Sequence, residues 1–132
     1  MPEAPLRHVF VYGTLRRGDV RDITRLDPPP RFVGMASVAG RLYDLGPYPG
    51  VQLGGEGRVV GEVYVISEAL ERVLDEIEEV WPQQTGEYCK REVSAQLDPA
   101  AGGGALVCLA YEINPDRIEH KPLITHGDWL RR

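Results

Sequence analysis

The chain has 132 residues, of which 42% are hydrophobic and 27% charged, and its formal net charge is −5. This suits one soluble domain with its own core, and it argues against nucleic acid or an anionic membrane as the main partner. With no apolar stretch between Met1 and Arg7 and no run of membrane-span length, a cytoplasmic protein is expected.

Met1 to Leu6 reads as a frayed end. His8 to Tyr12 is an unbroken apolar and aromatic run, the pattern of a strand buried on both faces. It stops at Gly13, which offers either an unusual backbone conformation or close approach of a ligand. Thr14-Leu15-Arg16-Arg17-Gly18 follows. A turn here has amides that could hold an anion, and the two arginines are further candidates. An ordinary turn after a strand is the plainer alternative. Arg16 to Leu26 is polar, with Ile23 and Leu26 spaced for a short helical face, and Pro28-Pro29-Pro30 stops any helix.

Arg31 to Leu45 reads as extended chain, with Gly34 and Gly40 suited to bulges. Asp44 to Gly50 is a tight loop. Val51-Gln52-Leu53 is a short strand, Gly54 to Gly57 a hairpin turn, and Val59 to Ile66 a strong strand. Ser67 then caps the clearest helix, whose apolar stripe is Leu70, Val73, Leu74 and Ile77 and which Trp81-Pro82 ends. Gln83 to Glu87 is a loop. Tyr88 to Leu97 and Leu106 to Ile113 are partner strands around a flexible turn, and Asn114 to Arg132 is mostly irregular. The expected fold is α+β: a small mixed or antiparallel barrel-like sheet with one main helix, in a single domain over residues 1–132.

The helix is rich in acid. Most of Glu71, Asp75, Glu76, Glu78 and Glu79 are expected on a solvated face, with Asp75 and Glu79 opposite the apolar stripe. Glu78 falls nearest the stripe, one turn above Leu74. A partly buried carboxylate holds its proton more tightly, as a general base near neutral pH requires. A structural flank glutamate remains the alternative. Other chemistries find less support. Cys89 and Cys108 are too few for a disulfide framework, and both read as buried free thiols. Cys89, His126 and Asp128 match no protease signature. His120 and His126 lack metal-binding companions. Gly13 to Gly18 is neither a P-loop nor a dinucleotide fingerprint. No metal and no cofactor are therefore expected.

Phe10-Val11-Tyr12-Gly13-Thr14-Leu15-Arg16-Arg17-Gly18 resembles the opening of the gamma-glutamylcyclotransferase-like family. Leu74-Asp75-Glu76-Ile77-Glu78 resembles that family's helix-end motif, and the resemblance makes Glu78 the catalytic acid/base. Tyr12, Gly13, Thr14 and Leu15 match its substrate loop, whose backbone N–H groups hold the glutamyl α-carboxylate. Leu42 to Gly50, with Tyr43, resembles a second signature. Tyr88 with Arg91 resembles the tyrosine and basic residue on the next strand, and Gly127-Asp128-Trp129 the usual ending. Tyr43, Tyr88 and Tyr111 are candidate substrate contacts, or equally amphipathic residues at a sheet rim. The chain departs from the family at Glu79-Val80-Trp81-Pro82, where a glycine is missing.

The resemblance implies an enzyme that cyclises a γ-glutamyl group to 5-oxoproline and releases an amine or amino acid. The implied partner is a small γ-glutamyl substrate, not nucleic acid or membrane. A non-catalytic binding module for γ-glutamyl or related carboxylates, or a hydrolase releasing glutamate, is the alternative.

Overall fold

The structure is a computed structural model that describes residues 6–78 and 86–132. Glu79 and the Trp81-Pro82 helix stop expected from the sequence lie outside the described residues. Strands β1 (Arg7–Val11), β2 (Arg31–Asp44) and β3 (Pro49–Ile66) precede helix α1 (Glu68–Ile77). Strands β4 (Tyr88–Leu97), β5 (Ala105–Ile113) and the short β6 (Leu123–Ile124) follow.

The strands close on themselves. β3 pairs antiparallel with β1 and β2, β4 antiparallel with β2 and β5, and β5 meets β1 in parallel at Leu109 and Val9. The result is a closed barrel of five strands, in keeping with the expected barrel-like sheet, with β6 added to β2 at Leu42 and Ile124. Closure removes the open edges that a sheet would otherwise present.

β1 has both faces buried because it lies between two apolar clusters. Phe10 faces the barrel interior with Val38, Leu42, Val51, Val59, Val63 and Trp129. Val9 and Val11 face outward, where α1 covers them with Leu70 and Leu74. Both leucines are fully buried, and each such burial is worth about 1.5–3 kcal/mol. The Ser67 side chain accepts from the Leu70 N–H at 3.1 Å and caps the helix as its sequence predicts.

One expected turn proved to be something else. Val51-Gln52-Leu53 and Val59 to Ile66 are one strand, β3, and both stretches pair with β2. The ladder jumps from Ala39 opposite Arg58 to Gly40 opposite Leu53, so Gly54 to Gly57 bulge out without reversing the chain. Glycines at positive φ, here Gly54 and Gly55, serve a bulge as readily as a turn. A second irregularity falls at Gly34, and together these bulges lie where the two β2 glycines suggested. Cys108 is buried, but Cys89 is exposed, because it sits at the start of β4, short of Val93 and Ala95, which carry the same face into the barrel interior.

Candidate active site

The ends of β1 and β5 meet the starts of β3 and β4 at one end of the barrel, beside the C-terminus of α1. A cavity of about 210 Å³ opens there. It is lined by Tyr12, Gly13, Thr14 and Leu15 from the turn after β1, by Glu78 from the helix end, and by Tyr88 and Tyr111. Residues scattered over a hundred positions of sequence thus share one wall.

The turn uses its carbonyls and leaves its amides. Arg16 donates to the Gly13 oxygen at 3.0 Å, Arg21 to Thr14 at 2.9 Å and Ile23 to Leu15 at 2.9 Å. Among the described residues, no acceptor takes the N–H of Gly13, Thr14 or Leu15. Gly13 is not at positive φ. It is glycine because a Cβ would meet the Pro49 ring at 2.6 Å. The close neighbour is therefore another strand of the protein, and the unusual backbone conformation offered for this glycine by sequence is not adopted.

Glu78 is the residue that ends α1, and its N–H donates to the Leu74 carbonyl at 2.9 Å. The negative end of a helix opposes a nearby anion. Its side chain is half-buried. The charge of Glu78 is felt by three hydroxyls. Tyr12 is pushed well above the ordinary tyrosine range, by burial first and then by Glu78. Tyr88 is raised by burial, Tyr12 and Glu78, and Tyr111 by burial, its bond to Asp75 and Glu78.

Each of these tyrosines gives its proton to the protein. Tyr12 donates to the Tyr111 carbonyl at 2.6 Å and Tyr88 to the Pro49 carbonyl at 2.7 Å. Tyr111 donates to Asp75 Oδ1 at 2.7 Å. Asp75 also takes Lys90 Nζ at 2.9 Å, and Lys90 bridges to Glu71 at 2.6 Å. Asp75 is expected toward solvent, opposite the apolar stripe, but both it and Glu71 are buried. The reason is that this flank of the helix lies over β4 and β5, which supply a cation and a hydroxyl to meet the carboxylates.

Arg16 is no anion ligand. It is buried, with Nε on Glu62 at 2.9 Å and a terminal nitrogen on Asp128 at 2.7 Å. The Arg17 N–H and the Tyr64 hydroxyl complete Glu62. Asp128 belongs to Gly127-Asp128-Trp129, whose indole donates to Asp19 at 2.8 Å. Gly127 has φ 71°, and a Cβ there would run into the Arg58 carbonyl. The C-terminal motif therefore fastens the loop that follows the cavity turn.

Two candidates lie elsewhere. Tyr43 sits opposite Gly50 and Leu123 in the sheet, because alternation along β2 and the approach of β6 direct it away from the cavity. Arg91 is exposed and pairs with Glu112 at 3.3 Å, out of phase with Tyr88 and Lys90, which face the cavity and the helix. The sequence reading missed Tyr48, Arg21 and Glu87, which also line the cavity. Tyr48 donates to Glu87 at 2.5 Å and is pushed up to about 12, mainly by that bond. Tyr48 lay inside the quoted Leu42–Gly50 stretch and was overlooked beside Tyr43. Nothing in the sequence marked Arg21 or Glu87.

A family model described as "Gamma-glutamyl cyclotransferase, AIG2-like" matches residues 9–131. A gamma-glutamylaminecyclotransferase of Bos taurus is 41% identical over 85 residues, 55% of this chain and 49% of its own. The chain thus spans about half the length of that relative. A provisionally named gamma-glutamylcyclotransferase of Vibrio cholerae is 36% identical over 132 residues, covering 94% of this chain and 96% of its own. The crystal structure of an AIG2-like protein from Mus musculus superposes with a TM-score of 0.75 at 27% identity, over 96% of this chain and 89% of that one. With nearly the whole chain matched, and with the turn after β1 and the end of α1 sharing one cavity, the protein belongs to the AIG2-like gamma-glutamyl cyclotransferase family.

Proposed function

We propose that the protein cyclises a γ-glutamyl group to 5-oxoproline, releasing an amine or amino acid, with Glu78 as general acid/base. The observation that carries this reading is the single cavity lined by both Glu78 and the Tyr12–Leu15 turn. The family assignment and the names of the relatives support it.

The chemistry follows from what each wall offers. The amides of Gly13, Thr14 and Leu15 take the α-carboxylate. Glu78 removes a proton from the α-ammonium. The freed amine attacks the γ-carbonyl, forming the ring C–N bond, and the old amide C–N bond breaks. The proton returns from Glu78 to the leaving nitrogen. Holding both reacting ends in one cleft supplies proximity, which can account for several kcal/mol of the barrier.

The test is a panel of γ-glutamyl amines and γ-glutamyl dipeptides, with products identified by mass spectrometry. The expected result is 5-oxoproline plus the free amine from at least one member. Free glutamate as product would replace the reading with hydrolysis, and binding without product would replace it with a binding module.

A further inference from the structure

We propose that Asp75 is a positioning residue. It accepts the Tyr111 proton and so leaves the Tyr111 oxygen as a hydrogen-bond acceptor facing the cavity, where it helps hold the substrate's α-ammonium. The proposal rests on the γ-glutamyl reading above.

A tyrosine has one proton to give, and an ionised carboxylate can only accept. At 2.7 Å the Tyr111–Asp75 bond therefore has a fixed direction. Lys90 donates to the other Asp75 oxygen at 2.9 Å, so each oxygen of the carboxylate has its own donor. The other cavity tyrosines are oriented in the same way. The protons of Tyr12, Tyr88 and Tyr48 go to the Tyr111 carbonyl, the Pro49 carbonyl and Glu87. The tyrosine hydroxyls lining the cavity thus have no proton left to offer a ligand, and Glu78 adds a carboxylate to the same wall. The turn after Tyr12 is the opposite, a wall of N–H donors. An α-amino-acid head group, ammonium beside carboxylate, matches this division.

Asp75→Asn reverses the arrangement. The one remaining oxygen goes to Lys90, which has no use for a second donor. The amide NH₂ then faces Tyr111, whose proton must turn into the cavity against an ammonium. Lys90 keeps Glu71 at 2.6 Å, so the substitution does not strand it.

The experiment measures binding of L-glutamine and of glutaramate by titration calorimetry. Glutaramate is the same molecule without its α-ammonium. 5-Oxoproline is assayed after each run so that turnover is not read as binding. The wild type should prefer L-glutamine. In Asp75→Asn that preference should fall by about tenfold to a hundredfold, the worth of one hydrogen bond to a charged group, while glutaramate binding is unchanged. Tyr111→Phe, which keeps the ring and removes the oxygen, should lose the same preference. Glu71→Gln, in the same cluster but not touching Tyr111, should keep it. An Asp75→Asn protein that retains the preference, or weakens both ligands equally, overturns the positioning role alone. A wild type that binds neither ligand overturns the γ-glutamyl reading as well, and the proposal with it.

Discussion

Two charged regions flank the turn after β1, and they are built on opposite plans. On one side Arg16 is buried against Glu62 and Asp128, guanidinium against carboxylates. On the other, the cavity sets Glu78 among hydroxyl groups whose ionisation its charge opposes. The first region pairs its guanidinium inside the protein and serves to fasten the turn to the C-terminal motif. The second presents a carboxylate to a space large enough for a ligand. Adjacency in sequence hides the difference: Leu15 lines the cavity and Arg16, the next residue, does not.

The sharpest way to break this comparison is to neutralise each side in turn. Glu78→Gln keeps the shape and removes the proton carrier, so 5-oxoproline release should fall by about 10²–10⁴-fold, with an unchanged circular dichroism spectrum. Glu76→Gln, exposed two residues earlier, is the control and should be nearly silent. Full turnover in Glu78→Gln would end the assignment of Glu78 as acid/base.

Arg16→Ala should do the reverse. It leaves Glu62 buried without its cation, and breaking a buried ion pair from one side costs about 3–5 kcal/mol. Urea unfolding should show the loss as a lower midpoint. An Arg16→Ala protein of wild-type stability that fails only in substrate binding would make Arg16 the anion ligand after all.

How much of this could be read from residues alone depends on the range of the interaction. β1, the capped helix and the β4–β5 hairpin rest on local patterns, and their places in the chain were legible. The burial of Asp75 was not. Helical periodicity counts only apolar neighbours, and Lys90 and Tyr111 come from strands fifteen and thirty-six residues away. The continuity of β3 was hidden for a related reason, since Gly54 to Gly57 have turn composition and only the shared partner β2 makes them a bulge. At the site, the turn and Glu78 were found through their motifs. Tyr43 and Tyr48 carried the same chemistry in the same signature, and only the pairing of β2 with β3 and β6 separates them.

Gly13→Ala sharpens the comparison at its boundary. The added Cβ meets the rigid Pro49 ring at 2.6 Å, and overpacking of this kind costs about 1–3 kcal/mol. Pro49 lines the cavity and its carbonyl holds Tyr88. KM should therefore rise more than kcat falls, because the clamp moves and Glu78 stays. A fall in kcat with KM unchanged would place the turn outside substrate binding.

The smallest effect is one of pH, and it tests the hydroxyl side. Tyr12, Tyr48, Tyr64, Tyr88 and Tyr111 all hold their protons above the ordinary value of 10.0. The unfolded chain releases those protons near pH 10, while the folded protein still binds them. Stability is therefore fully present below that pH and falls as pH rises, with a slope set by the difference in bound protons. For Tyr48 the window runs from 10.0 to about 12, and the main cause is its bond to Glu87. Tyr48→Phe removes one titrating group and leaves the other four. Chemical unfolding followed from pH 9.5 to 11.5 should then show a shallower decline than the wild type, by up to about one proton. Below pH 9 the pH dependence of the two proteins should run parallel, because neither state has released a tyrosine proton. If the alkaline slope is unchanged in Tyr48→Phe, the Tyr48–Glu87 bond is not made in solution, and this part of the cavity wall offers a donor to the ligand instead of an acceptor.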